Sequence, residues 1–270
     1  MEEDVAVIVC GGAAKNAFGI IDSKDRDTRE LYEEAEKDFG HHFDVISDKF
    51  STIPKDDPEE MERALEGKRI VVPFLILGGE VGTGIIRDVI RCARSKDCKV
   101  VSVFGIPMGF EAERRERAFR NLTDVVALSD CSLVADMQKL MDVNLELNKE
   151  RLWTTFLSMS DGMIRSSIAS IVEFMQGPFF SVFTESMYAF VPSTDVIPLN
   201  AVIKSWDHLM FDTGRATDTS VIMLGSTVRS SEIKEIEDRV AMLCGTVPQI
   251  VIRSDPYDSK VIIFRAVRSF

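Results

Sequence analysis

Gly78-Gly79-Glu80-Val81-Gly82-Thr83-Gly84 lies between an apolar run, residues 70–77, and an apolar periodicity that begins at Ile85. Strand, glycine loop and helix in that order form the arrangement that holds a phosphate, because glycine lets backbone N–H groups close around an anion at a helix N-terminus. Glu80 puts a carboxylate in the middle of it. At about 4 Å and an effective dielectric near 20, one like-charge pair costs roughly 4 kcal/mol. A helix dipole contributes only about 0.3–1 kcal/mol. Glu80 must therefore point away, be screened by a cation, or have ended phosphate binding.

Outward from this loop, strand and helix signals alternate. Residues 5–10 are a continuous apolar run ending in Gly11-Gly12, as for a buried parallel strand entering a tight turn, and Ala13, Ala14, Ala17, Phe18 and Ile21 recur on one helix face. Asp27 to Glu30 has capping-box spacing ahead of Leu31, Ala35 and Phe39, with Gly40 as the stop. Asp57-Pro58 opens another helix that Gly67 closes. Strands are expected at 70–77 and 100–106, although Pro73 lacks the N–H that a central strand uses. Between them runs a helix through Ile85, Ile86, Val89, Ile90 and Ala93. A helix from Glu111 leads to a weaker strand at 125–128. Alternation of this kind predicts an α/β fold with a mostly parallel sheet covered on both faces.

After Leu152 the pattern changes. Met163, Ile164, Ser167, Ile168, Ile171, Val172 and Met175 mark a long helix with a wide apolar face, followed by a Phe-, Ser- and Pro-rich stretch over 177–198. A smaller α+β unit is expected beyond it, with strands at 220–224, 249–253 and 260–267 and a helix at 231–243. The expected division is a nucleotide-binding domain over 1–152, a connecting helix over 153–177 and a C-terminal domain over 178–270.

A net charge of −12 argues against a nucleic-acid surface and against direct binding to anionic membranes. Cys10, Cys92, Cys98, Cys131 and Cys244 form no C-x-x-C pair and read as reduced thiols, while His41, His42 and His208 are too separated for a metal site. No basic leader and no membrane-length apolar stretch are present, so a cytoplasmic location is expected. Gly11-Gly12-Ala13-Ala14 is not G-x-G-x-x-G, and no Gly-Lys-Ser or Gly-Lys-Thr occurs, which disfavours a Rossmann oxidoreductase and a Walker ATPase.

The loop and its neighbours resemble the tubulin/FtsZ superfamily, whose glycine loop normally reads GGGTGTG where this one reads GGEVGTG. Pro107-Met108-Gly109-Phe110-Glu111-Ala112-Glu113-Arg114-Arg115 is similar to the FtsZ segment P-x-x-F-E-x-x-R-R, and Cys10-Gly11-Gly12-Ala13-Ala14-Lys15-Asn16-Ala17 to the family's opening glycine turn. The resemblance implies a tubulin/FtsZ-type GTPase domain that binds GTP or GDP with Mg²⁺ and associates with itself or a related FtsZ-like protein in cell division or a cytoskeleton. It assigns Gly11, Gly12 and Asn16 to the first phosphate turn and Gly78, Gly79, Gly82, Thr83 and Gly84 to the second. Glu111 falls on the ribose-contacting glutamate, Arg115 on the guanine-side arginine and Asp130 on the guanine-contacting asparagine. Phe156 and Asp161 keep the spacing of the stacking aromatic and the purine-binding aspartate. Read without the family, Glu111 and Arg115 are better taken as a solvated surface pair, while Phe156 and Asp161 are equally a core aromatic and a helix cap.

The family pattern fails around the third phosphate. No glycine lies between Gly40 and Gly67, where the family carries its third-phosphate loop. Asn200 and Ile203 stand where the resemblance expects the carboxylates that position attacking water, and an amide cannot act as a general base. Weak or absent GTP hydrolysis is expected, with no catalytic residue assigned. The alternative is a nucleotide-free structural or regulatory relative that binds a partner protein. The sequence stops just after its last strand, so no tethering tail of the FtsZ kind is expected.

Overall fold

The structure is a computed structural model that describes residues 5–17, 44–46, 58–139, 142, 168, 171, 183, 187–193, 199–200, 220–224, 228–252 and 261–267. Strand β1 (Val5–Cys10) leads to helix α1 (Gly12–Ala17), then β2 (Asp44–Ile46), α2 (Pro58–Ala64), β3 (Ile70–Ile76), α3 (Glu80–Ser95) and β4 (Lys99–Ile106). Helix α4 (Ala112–Val126) and β5 (Cys131–Asp136) follow, then β6 (Met187–Ser193), β7 (Ser220–Leu224), α5 (Ser230–Cys244), β8 (Gln249–Ile252) and β9 (Val261–Ala266).

These strands form one sheet in the order β2-β1-β3-β4-β5-β6-β9-β7-β8. It is parallel from β2 through β6 and between β7 and β8, and antiparallel where β9 lies between β6 and β7. The fold is therefore the expected mostly parallel α/β sheet. Its strands read as unbroken apolar runs because both faces are covered. Val5, Val7 and Val9 of β1 pack on one side with Ala14, Ile168 and Ile171, while Ala6, Ile8 and Cys10 pack on the other with Ile86, Val89 and Ile90 of α3. Each such fully buried aliphatic side chain stabilises the fold by about 1.5–3 kcal/mol.

Pro73 sits in the central strand β3. Its pairing with Ile8 of β1 is intact, but the β3–β4 ladder runs Val71↔Val100 and resumes at Phe74↔Val103, stepping over the position with no N–H to give. The segment 125–128 is not a strand. Ala118, Leu122 and Val125 are buried at helical spacing, so α4 continues through Val126 and the strand is Cys131–Asp136. The Phe-, Ser- and Pro-rich stretch contains β6, which joins the parallel region to the C-terminal strands. In the C-terminal part, β7, α5, β8 and β9 lie at the expected places. The long helix is described only at Ile168 and Ile171, both helical and fully buried. The segment 27–39 and the boundaries at 152 and 177 lie outside the described residues.

Candidate nucleotide site

The two glycine turns meet at the C-terminal ends of β1 and β3. β1 ends at Cys10, Gly11 turns the chain with φ 82°, and α1 begins at Gly12. β3 ends at Ile76, Gly78 turns with φ 89°, and Gly79 is the N-cap of α3. Helix α3 thus starts at Glu80, five residues ahead of the first apolar position at Ile85, and Gly82, Thr83 and Gly84 belong to the helix rather than to a seven-residue loop. Sequence periodicity misses this because the first turn of a helix needs no apolar face.

Gly82 is where close approach decides the residue. A Cβ there would lie 2.7 Å from Leu75 Cδ1 and 3.6 Å from Gly11 Cα, so the absence of a side chain lets the start of α3 sit on the β1–α1 turn. At Gly78 a Cβ would be 2.2 Å from the carbonyl oxygen of Arg114. Gly12 and Gly79 differ: a Cβ at either would meet nothing within 4 Å. The two turns therefore touch through Gly11 and Gly82 and leave open space beside Gly12 and Gly79, next to the N-terminus of a four-turn helix whose N-cap glycine supplies no side-chain acceptor for the first N–H groups. Unsatisfied N–H groups and the helix dipole favour an anion at such a place.

Thr83 does not present its hydroxyl there. It is buried, and Oγ1 donates back to Gly79 O at 2.7 Å. Glu80 is exposed in the first turn of α3. Asn16 lies in α1 by its backbone. Phe156 and Asp161 lie outside the described residues.

On the neighbouring strands, Glu111 is the N-cap of α4 and accepts a 2.6 Å bond from Arg114 Nη1. Arg115 is held by Asp136 at the C-terminal end of β5: Nη1 donates to Asp136 Oδ1 at 2.7 Å and Nη2 to Oδ2 at 2.6 Å. This bond, with the attraction of the same carboxylate, raises the Arg115 pKa against the opposing effect of burial. Arg117 Nε donates to Gly78 O at 3.2 Å, tying α4 to the glycine turn.

Asp130 is not at this edge. It precedes β5, at the N-terminal ends of the strands, where its carboxylate accepts Val100 N at 2.8 Å and faces Lys99 Nζ at 3.8 Å. Ligands of open parallel sheets bind at the other end of the strands, so Asp130 is removed from the candidate site. Asp136, Gln138 and Arg117, which lie beside Arg115 and the glycine turn, belong to no sequence motif; an aspartate inside the mostly apolar run 131–137 is the one signal of the first. Among the described residues no group of three or more His, Cys, Asp and Glu side chains gathers to hold a metal, and no helix is long and apolar enough to cross a membrane.

No protein-family model matches the chain. Among solved structures, the empty FtsZ dimer of M. jannaschii is similar over 98% of this chain and 88% of that one, with TM-score 0.67 and 15% identity. CetZ from Methanosaeta thermophila gives TM-score 0.68 at 13% identity over 99% and 87% of the two chains. TubZ of Bacillus thuringiensis serovar israelensis, in GDP-form protofilaments, gives 0.61 at 12% identity over 98% and 85%. The fold is thus of the tubulin/FtsZ type. In sequence, 127 residues, 46% of the chain, are 28% identical to cell division protein FtsZ of Methanothermobacter thermautotrophicus, a match spanning 32% of that relative. In fold the chain is similar to FtsZ, CetZ and TubZ, and in sequence about half of it is similar to about a third of an FtsZ.

Proposed function

We propose that the chain binds a guanine nucleotide, GTP or GDP with Mg²⁺, between its two glycine turns, self-associates or pairs with a related FtsZ-like chain, and hydrolyses GTP weakly or not at all. The observation that carries this reading is the contact of Gly11 with Gly82 beside the open space at Gly12 and Gly79, at the start of α3. Phosphate oxygens fit such a cradle because its donors are backbone N–H groups that cost no side-chain ordering. Gly11, Gly12, Gly78, Gly79 and Gly82 form the phosphate side, with Gly84 and Asn16 as flanking positions; Glu111, Phe156 and Asp161 keep the roles the resemblance implies. Weak hydrolysis follows from Asn200 and Ile203 in place of carboxylates.

FtsZ, CetZ and TubZ are the likenesses that support a cell-division or cytoskeletal role in the cytoplasm. The titration of a fluorescent GTP analogue with and without Mg²⁺, alongside phosphate release, tests the reading. Saturable, Mg²⁺-dependent binding with negligible turnover is expected. Absence of saturation at high micromolar nucleotide would favour the second reading, a nucleotide-free relative that binds a partner protein, for which the acidic residue Glu80, exposed in the first turn of α3, is the supporting observation.

A further inference from the structure

The ends of β4 and β5 carry a second construction, distinct from the glycine turns. Arg115 Nη1 donates to Pro107 O at 2.6 Å while both terminal nitrogens bind the Asp136 carboxylate. Asp136 Oδ1 also accepts Gln138 N at 3.0 Å, and Gln138 Oε1 accepts Gly109 N at 2.8 Å. The guanidinium carbon stands 5.2 Å from the centroid of the Phe119 ring. Residues 107–111, which join β4 to α4, are therefore fastened at their first residue by Arg115 of α4, itself held by Asp136 at the end of β5, and at their middle by Gln138 just beyond it. Phe110 stands out from the fastened loop with 68% of its surface exposed.

We propose that Asp136 is a positioning residue: by engaging Arg115 it turns a base-side cation into a clamp on the 107–111 loop, so that the loop, with Phe110, sets the base end of the nucleotide site. The proposal rests on the nucleotide reading above. Its physical basis is competition between acceptors. A guanine carbonyl or ring nitrogen offers the guanidinium a neutral acceptor, whereas Asp136 offers a fully charged carboxylate whose two oxygens match the guanidinium fork. With its side chain only 8% exposed, Asp136 is also shielded from the water that would weaken the pair. A base that arrives at this edge meets a neutralised arginine and a fixed loop.

Amide hydrogen exchange and nucleotide selectivity test this together, in the full chain. Asp136→Asn keeps shape and removes the charge; Gln138→Ala removes the exposed second fastening and serves where the first variant folds poorly. Exchange over residues 109–111 is expected to rise roughly tenfold or more in either variant, with α3 and β1 unchanged. Unchanged exchange overturns the clamp. In binding, Asp136→Asn and Arg115→Ala are expected to lower the preference for GTP over ATP by a similar factor, roughly tenfold. Affinity for inorganic triphosphate should stay the same. Loss of preference in Arg115→Ala with full preference in Asp136→Asn would mean that the guanidinium reads the base itself, and overturns the proposal. A wild-type chain that binds triphosphate without preferring GTP overturns the base-side role alone. One that binds neither GTP nor triphosphate overturns the nucleotide reading as well.

Discussion

The phosphate side and the base side of the candidate site are built from different materials. Around Gly11, Gly12, Gly78 and Gly82 the geometry is backbone geometry, fixed by positive φ and by the absence of side chains. Along residues 107–111 the geometry is set by three side chains from two places in the chain, Arg115 on α4 and Asp136 and Gln138 at the end of β5. The first kind of site is written locally in the sequence, while the second depends on which end of β5 faces α4. A backbone cradle also tolerates drift in its surroundings better than a clamp does, because no single bidentate pair has to be kept.

The largest effect should come from Gly78. A Cβ there would sit 2.2 Å from Arg114 O on a residue with φ +89°, so Gly78→Ala combines left-handed strain with a backbone clash. A loss on the order of 3 kcal/mol or more is expected in urea unfolding. Gly79→Ala, where a Cβ meets nothing within 4 Å, should cost under about 1 kcal/mol. Equal losses at the two positions would break the claim that close packing of α4, rather than the loop as a whole, demands glycine.

Alkaline pH gives the next effect, beneath the phosphate side. Burial pushes the Cys10 thiol from its ordinary 9.0 up to about 12, so above pH 9 the unfolded chain loses this proton first and binds fewer protons than the folded one. Stability is therefore fully present below pH 9 and falls as pH rises towards 12, by about 1.4 kcal/mol per unit for this thiol. Cys131, under the start of β5, has its pKa raised too, chiefly by burial. Unfolding curves of wild type and Cys10→Ala across this range should show a shallower decline in the variant; parallel declines would sink the assignment.

Glu80→Gln comes third. Removing one negative charge from the first turn of α3 should tighten GTP binding roughly fivefold, the effect of a single like-charge pair at ~4 Å in water. Weaker binding would mean that the carboxylate helps hold Mg²⁺. The smallest effect belongs to Asp130→Asn, at the opposite edge of the sheet: GTP affinity measured by titration should be unchanged, and a marked loss would return Asp130 to the site.

The same contrast explains what could be read from the sequence. The apolar runs of β1, β3 and β4 are unmistakable because both faces of each strand are covered, and the glycine turns follow directly from their ends. β2 has three residues, too few for a periodicity, and β6 carries Pro192 and ends in Ser193, in a Phe-, Ser- and Pro-rich stretch that resembles a loop. Val125 and Val126 suggest a strand by residue type, yet they extend the helical stripe of Ala118 and Leu122. Placing the strand there, six residues early, carries the carboxylate at its end onto Asp130 instead of Asp136. One misplaced element thus shifts only that carboxylate, since Glu111 and Arg115 are legible from their motif, and the Arg115–Asp136 pair, 21 residues apart in sequence, has no local signature.

The central claim is that the joined glycine turns still hold a guanine nucleotide although the groups expected around its third phosphate are gone. Calorimetric titration of the chain with GTP, GDP and ATP in the presence of Mg²⁺ tests it most directly. Saturable binding of GTP and GDP with similar affinities, both tighter than ATP, is the predicted result. No heat of binding for any of the three nucleotides at high micromolar concentration would contradict it.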